Sequence, residues 1–148
     1  MLSALNDAEA DYLVVGAYAL AAYGNPRATG DIDIWVRPTA ENAVRVWRAL
    51  REFGIPKAWV KEPVDLTDSN AVFMFGVPPE RIDILTSITA IVFEDAWANR
   101  RTAQYDGLSA PVLHWRDLLI NKRATGRLKD AADAEWIETV MRNRGESV

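Results

Sequence analysis

Two aspartates lie two positions apart in an otherwise apolar stretch, DIDIWV, at residues 31–36. Successive side chains of a strand point to opposite faces, so Asp31 and Asp33 share one face about 6 to 7 Å apart, while Ile32 and Ile34 share the other. Carboxylates this close repel each other and are costly to remove from water unless a cation lies between them. Hard divalent cations prefer oxygen ligands. The pair therefore predicts a divalent metal site on one face of a buried strand.

A third aspartate repeats this pattern further along the chain. Asp83 lies between Ile82 and Ile84 in RIDILTSI. The two prolines of VPPE force a chain reversal before it, so Ala71–Phe75 and Arg81–Thr86 are predicted to form an antiparallel hairpin. Asp83 can join the first two carboxylates only if its strand lies beside DIDIWV.

Two further segments could bind phosphate. A predicted strand, Tyr12–Val15, ends at Gly16, and a helix is predicted to follow over Ala17–Tyr23; backbone N–H groups at a helix start attract anions. Residues 116–129 are rich in basic side chains and contain one acid, Asp117; the basic residues are Arg116, Lys122, Arg123, Arg127 and Lys129. Such a local basic patch in an acidic chain suggests a phosphate-bearing ligand.

The remaining elements would position these residues. An amphipathic helix is predicted from Thr39 to Gly54, with Ala43, Val46, Trp47, Leu50 and Phe53 on its apolar face. A short helix is predicted over Phe93–Arg100, and a second hairpin is predicted around the Asp106–Gly107 turn. Two helices follow, at Trp115–Ala124 and Leu128–Arg142. These elements predict one α+β domain over residues 1–148, with a mixed sheet flanked by helices and a C-terminal helical pair.

Composition excludes several classes of protein. The chain has 148 residues, no cysteine and a net charge of −4. Disulfide frameworks and thiolate metal sites are excluded, and general coating of nucleic acid is disfavoured. No apolar run approaches the roughly 18 residues of a membrane span. The expectation is a cytoplasmic protein that does not bind membranes.

At these residues the sequence resembles the nucleotidyltransferase superfamily that includes DNA polymerase β, and in particular small bacterial proteins related to AbiEii-type toxins and minimal nucleotidyltransferases. The superfamily signature is an apolar residue, a glycine followed by Gly or Ser, an acid-x-acid pair and a third acid on a neighbouring strand. It maps onto Val15, Gly16, Ala17, Asp31, Asp33 and Asp83. The stretch at 117–133 looks like the lysine-bearing helical motif of the AbiEii-like branch, with Lys122, Arg127, Lys129, Asp130 and Asp133.

The resemblance implies an enzyme that transfers a nucleoside monophosphate from an NTP to an RNA end or a protein side chain. Asp31 and Asp33 would ligate two Mg²⁺ ions. Asp83 would help to hold the second ion and accept the proton from the attacking hydroxyl or orient it. Lys122 would contact the triphosphate, with Arg27 as a secondary candidate. A toxin–antitoxin system, with a cognate toxin or antitoxin as partner, is a further implication.

One position departs from the family pattern. Ala17 stands where the family has Gly or Ser, so a contact from a seryl hydroxyl to phosphate is lost, and weakened or altered triphosphate binding is expected. An alternative function is therefore a catalytically silent nucleotide-binding or regulatory domain with the same fold. A third alternative is a binding module whose acids pair with a basic protein.

Simpler interpretations also remain for single residues. Asp31 and Asp33 could lie on a hydrated strand face or pair with arginines. Lys122 could satisfy carbonyl groups at a helix end, and Lys129 could pair with Asp133 on a helix surface. Other side chains are expected to be structural: the single histidine, His114, and most tryptophans. Trp35 shares a face with the acid pair and is the first candidate for stacking on a nucleobase.

Overall fold

A computed structural model describes residues 1–26 and 29–148. The elements, in chain order, are α1 (Leu2–Asp7), β1 (Tyr12–Val15), α2 (Gly16–Ala22), β2 (Asp31–Val36), α3 (Ala40–Phe53), a 3-10 helix (Pro63–Thr67), β3 (Val72–Phe75), β4 (Arg81–Leu85), α4 (Phe93–Asn99), β5 (Arg101–Tyr105), β6 (Leu108–Val112), α5 (Trp115–Thr125) and α6 (Leu128–Asn143). The predicted α+β class and C-terminal helical pair are confirmed. The sequence analysis missed α1 and the 3-10 helix.

The described strands form one mixed sheet in the order β3-β4-β2-β1-β6-β5. β2 pairs antiparallel with β1 and parallel with β4. Both predicted hairpins are confirmed, since β3 pairs antiparallel with β4 and β5 with β6. At the tip of the second hairpin, Asp106 and Gly107 have φ angles of 52° and 81°. Positive φ at both positions is what a type I′ turn requires.

The centre of the sheet is the most buried part of the fold. All four residues of β1 are buried, and β2 buries its second half, from Ile34 to Val36. Burial of this apolar surface is the main favourable term in folding. The first half of β2 is only partly buried, so its carboxylates lie where the core ends and a cleft begins.

Helix α3 covers the core with the predicted apolar face and has the predicted ends. The side chain of Thr39 accepts a hydrogen bond from the backbone N–H of Asn42, and Gly54 ends the helix with a φ of 104°. Val46 and Leu50 are buried, whereas Phe53 is 46% exposed. Phe53 was therefore wrongly included in the apolar face, because it lies in the last turn of the helix, where the chain leaves the core.

The C-terminal helices α5 and α6 pack against each other and are separated by Gly126, which has a φ of 74°. His114 caps α5, because its Nδ1 accepts a hydrogen bond from the backbone N–H of Arg116. The predicted structural role of His114 is thus to cap the N-terminus of α5. Within the described ranges, no helix combines the length and the apolar character needed to cross a membrane.

Candidate functional site

Three carboxylates from two parallel strands converge at one end of the sheet. The register of β2 and β4 places Asp33 opposite Asp83 and Asp31 opposite Arg81. Each of Asp31, Asp33 and Asp83 offers one oxygen, and these oxygens all lie within 4.8 Å of one another. The structure thus brings together the acids that the sequence singled out, because β2 and β4 are neighbours.

Arg81 binds two of these carboxylates, and the sequence analysis gave it no role. Its Nε donates to Asp83 Oδ1 at 3.0 Å, and its Nη2 donates to both Asp83 Oδ2 and Asp31 Oδ2 at 3.1 Å. These bonds hold the pKa of Arg81 above its usual value. The signal was available, because residues two apart on a strand share a face and Arg81 is two residues before Asp83. The alternative in which Asp31 and Asp33 pair with arginines therefore holds for Asp31, and Arg81 also pairs with Asp83.

Asp33 differs electrostatically from its neighbours. Among the residues that the structure describes, no lysine or arginine forms an ion pair with it. Burial, together with the negative charges of Asp31 and Asp83, raises the pKa of Asp33 to about 7. For Asp31, burial also acts to raise the pKa, but its hydrogen bonding with Asp83 and Thr29 and the charge of Arg81 outweigh burial, so the pKa of Asp31 is lowered. One carboxyl of the cluster therefore holds its proton near neutral pH in the metal-free protein.

Gly16 lets the chain pass directly over the cluster. It follows β1 at the point where Val15 pairs with Asp33, and it has a φ of 66°. A Cβ atom at this position would lie 2.3 Å from Asp33 Oδ2. Only glycine combines this backbone conformation with so close an approach. Gly16 and Ala17 both line the cleft beside the carboxylates, whereas their phosphate-binding role stays a prediction.

The cleft has a volume of about 550 Å³ and is lined by two groups of charged side chains. The acid cluster and Arg81 come from β2 and β4, and Lys122, Arg127, Lys129 and Asp130 come from α5, α6 and the turn between them. Uncharged polar side chains that also line the cleft are Thr29, Asn70, Ser87, Thr89, Asn121 and Thr125. The sequence analysis did not single out this polar set, because its members come from separate loops and helix α5.

Lys122 lies in the cleft wall with two carboxylate partners of its own. Its side chain is 9% exposed, and its Nζ lies 3.1 Å from both Asp130 Oδ1 and Asp133 Oδ2. Asp130 also accepts hydrogen bonds from Thr125 Oγ1 at 2.6 Å and from Arg127 Nε at 2.7 Å. Burial acts to raise the pKa of Asp130, but these bonds outweigh it and lower the pKa. The predicted contact of Lys122 with a triphosphate would have to be made beside these carboxylates.

Two other predicted residues have different outcomes. Trp35 is 1% exposed and packs edge-on against Phe93, with ring centroids 5.0 Å apart. The prediction that Trp35 stacks on a nucleobase is therefore wrong, because the second half of β2 lies in the core. Arg27 lies outside the described residues.

Comparison with known proteins supports the fold. No protein-family model matches the chain, and no curated protein matches its sequence. A solved structure does match, that of a protein from Thermotoga maritima described as a candidate nucleotidyltransferase. The two chains are 19% identical with a TM-score of 0.57, and the match covers 96% of this chain and 88% of the other. At this identity the similarity shows a shared fold, and it gives no support for the AbiEii-like branch in particular.

Proposed function

We propose that this chain is a divalent-metal-dependent nucleotidyltransferase that uses an NTP as substrate. The observation that carries the proposal is the convergence of Asp31, Asp33 and Asp83 within 4.8 Å of one another, in a cleft that basic side chains also line. The fold shared with a candidate nucleotidyltransferase supports it. A compact set of carboxylates in a cleft that also contains basic side chains suits a substrate that carries both metal and phosphate.

The donor set fits Mg²⁺. It consists only of carboxylate oxygens, which Mg²⁺ prefers, and Asp33 has no cation of its own among the described residues. Asp31, Asp33 and Asp83 would hold the metal, and the family pattern favours two ions. Bound there, Mg²⁺ would act as a Lewis acid on the phosphate oxygens.

The proposed reaction is an in-line displacement. The oxygen of an acceptor hydroxyl forms a bond to the α-phosphorus of the NTP, and the bond to pyrophosphate breaks, with pyrophosphate taking the electron pair. The proton of the hydroxyl passes to a carboxylate. We assign the role of proton acceptor to Asp83. If Asp83 does not accept the proton, its role is to orient the hydroxyl. Products are the acceptor carrying a nucleoside monophosphate, pyrophosphate and a proton.

The basic side chains of the cleft would receive the triphosphate. Lys122 is the residue that the sequence assigned to this task, while the more exposed Arg127, whose side chain is 74% exposed, also lines the cleft. Backbone N–H groups at Gly16 and Ala17 would face the phosphates nearest to the acids. Basic side chains and bound metal in one cleft would share the neutralisation of the substrate's negative charge.

The acceptor in this proposal is an RNA end or a protein side-chain hydroxyl. A role in a toxin–antitoxin pair, with a cognate toxin or antitoxin as partner, belongs to the same proposal and rests on the sequence resemblance alone. Expression of the active chain alone should then slow growth of a bacterial host, and the variant without metal ligands should not.

A second candidate function is a catalytically silent nucleotide-binding domain. Two observations favour it: Ala17 replaces the usual Gly or Ser, and Arg81 binds Asp31 and Asp83 as a counter-cation. Such a domain would bind nucleotide without releasing pyrophosphate.

Nucleotidyl transfer is tested directly with α-³²P-labelled NTPs. The purified chain, Mg²⁺ and a cell extract containing RNA and protein are incubated with each NTP in turn, beside an Asp31→Asn, Asp33→Asn double variant. An Asp7→Asn variant serves as the control for the loss of an exposed carboxylate. We expect labelled product with the wild type and the control, and none with the double variant; nuclease and protease sensitivity then identify the acceptor.

The outcomes separate the two candidates. Nucleotide binding without label transfer, in an extract where a known nucleotidyltransferase is active, would contradict catalysis and support the silent domain. Equal transfer by the wild type and the double variant would contradict the assigned site.

A further inference from the structure

We infer that Arg81 competes with divalent metal for Asp31 and Asp83. Metal binding displaces the Arg81 side chain from these carboxylates, and the displaced side chain then binds the phosphates of the incoming substrate. This inference rests on the proposed function and deepens it. It makes the affinities for metal and polyphosphate interdependent through one side chain.

The contacts place the guanidinium on the oxygens that a metal ion needs. Nε and Nη2 bind both oxygens of Asp83, and Nη2 also reaches Asp31 Oδ2. A cation that takes one oxygen from each of the three carboxylates must therefore share or break at least one of these bonds. Planar, two-point binding of a carboxylate is the arrangement that arginine forms most strongly.

The positive charge of Arg81 also opposes the binding of a free metal ion. With Asp31 and Asp83 ionised, the guanidinium already neutralises one of two negative charges, so a free divalent cation meets both fewer available oxygens and a nearby positive charge. The cluster should consequently bind free metal weakly. The same residue keeps the carboxylates close together when no metal is present.

The surroundings give the displaced side chain a place to go. The backbone of Arg81 is fixed in β4, and its N–H donates to Gly30 O at 3.2 Å. Its side chain is 32% exposed and lines the cleft. When metal arrives as a complex with a polyphosphate, the guanidinium exchanges carboxylate partners for phosphate oxygens. Free metal offers no such exchange, so polyphosphate should favour metal binding and metal should favour polyphosphate binding.

The first test measures Mn²⁺ affinity from the electron paramagnetic resonance signal of the free ion, with no nucleotide present. Arg81→Met should bind Mn²⁺ about 10-fold more tightly than the wild type, because the competing charge-assisted bonds are gone. Arg45→Met, which removes a partly exposed arginine on α3, should leave the affinity unchanged.

Arg81→Lys separates competition by direct bonding from a general effect of charge. Lysine keeps the positive charge but cannot form the two-point contact. Competition by bonding predicts severalfold tighter Mn²⁺ binding for Arg81→Lys than for the wild type. A purely electrostatic effect predicts no change. This variant also carries the test if Arg81→Met fails to fold.

The second test measures binding of the Mg²⁺ complex of inorganic tripolyphosphate by calorimetry, which avoids any choice of base. Both Arg81 variants should bind this complex more weakly than the wild type, although they bind free metal more tightly. Opposite signs in the two assays are the signature of a side chain that changes partners.

The outcomes distinguish this inference from the proposed function. Mn²⁺ affinities that are equal in the wild type and Arg81→Lys would overturn the inference and leave the metal site intact. The absence of Mn²⁺ binding in the wild type and both Arg81 variants, as in the Asp31→Asn, Asp33→Asn variant, would overturn the proposed function as well.

Discussion

Replacing Asp33 with asparagine should stabilise the metal-free protein at pH 8. Asp33 lies between Asp31 and Asp83, and burial with these charges raises its pKa to about 7, from 3.8 for an ordinary aspartate. Because the pKa of Asp33 is about 7 in the folded chain and 3.8 in the unfolded chain, its ionisation at pH 8 destabilises the folded state by about 4 kcal/mol. Water in the cleft screens part of this cost, so we expect a gain of about 2 to 4 kcal/mol for Asp33→Asn.

The sign follows from proton binding. The folded chain holds the proton of Asp33 more tightly than the unfolded chain does. The contribution of protonated Asp33 to the stability of the wild type is therefore complete below pH 3.8 and is lost as the pH rises through about 7. Asparagine is neutral throughout and can donate a hydrogen bond to a neighbouring carboxylate, as protonated Asp33 does. The advantage of the variant should therefore shrink by about half between pH 8 and pH 5.

Urea denaturation in EDTA measures this difference in the free energy of unfolding at both pH values. Thermal denaturation should show a rise in Tm of about 5 to 15 °C at pH 8. The variant Asp7→Asn, at an exposed position, controls for the removal of a negative charge from the chain. A variant at Asp33 that is less stable than the wild type at pH 8 would refute the reasoning, since it would mean that ionised Asp33 makes favourable contacts in the metal-free fold.

Further expectations concern the same cleft. Metal affinity should fall as the pH drops below about 7, because Asp33 must lose its proton to bind metal; Mn²⁺ titrations at pH 6 and pH 8 measure this. Gly16→Ala should lower the Tm and abolish metal binding, since its Cβ would lie 2.3 Å from Asp33 Oδ2, and retention of both would contradict the close approach. Lys122→Met should cost about 3 to 5 kcal/mol in urea denaturation because it removes the ammonium that two buried carboxylates share. Lys129→Met should change stability by less than about 0.5 kcal/mol; a change for Lys122→Met that is equally small would contradict a structural role for Lys122.

The predictable part of the site came from strand periodicity. Alternation of Asp31, Ile32, Asp33 and Ile34 assigned the carboxylates to one face, and the repeat at Asp83 suggested a second strand of the same kind. These patterns depend on the backbone geometry of a strand, which holds wherever the strand lies. The sequence indicated that Asp83 could join the other acids only if its strand lay beside β2. The structure shows that β4 does pair with β2, in parallel.

The sequence could not show the contacts that some residues make with distant parts of the chain. Trp35 shares a strand face with the acids, but Phe93, far along the chain, packs against it. Lys122 appears as an available cation in the sequence, yet the packing of α5 on α6 gives it two carboxylate partners. Periodicity assigns a face of an element and carries no information on which element will cover that face.

The two carboxylate clusters of the cleft show how packing can separate structure from chemistry. Asp130 and Asp133 are nearly fully buried and share Lys122, and Asp130 has further donors in Thr125 and Arg127. Such a cluster has its charges matched, so removing a cation from it should cost stability.

The cluster on β2 and β4 is different. Among the described residues, Arg81 is the cation that forms ion pairs with it, and these pairs reach Asp31 and Asp83 but not Asp33. The buried strand β1 and the close passage of Gly16 hold Asp33 in place despite its raised pKa. A fold that spends stability to keep an unmatched carboxyl beside two others leaves room for a divalent cation there. The unequal compensation of the two clusters therefore supports the proposed metal site at Asp33, and we expect mutation of Asp33 to stabilise the fold while removing that site.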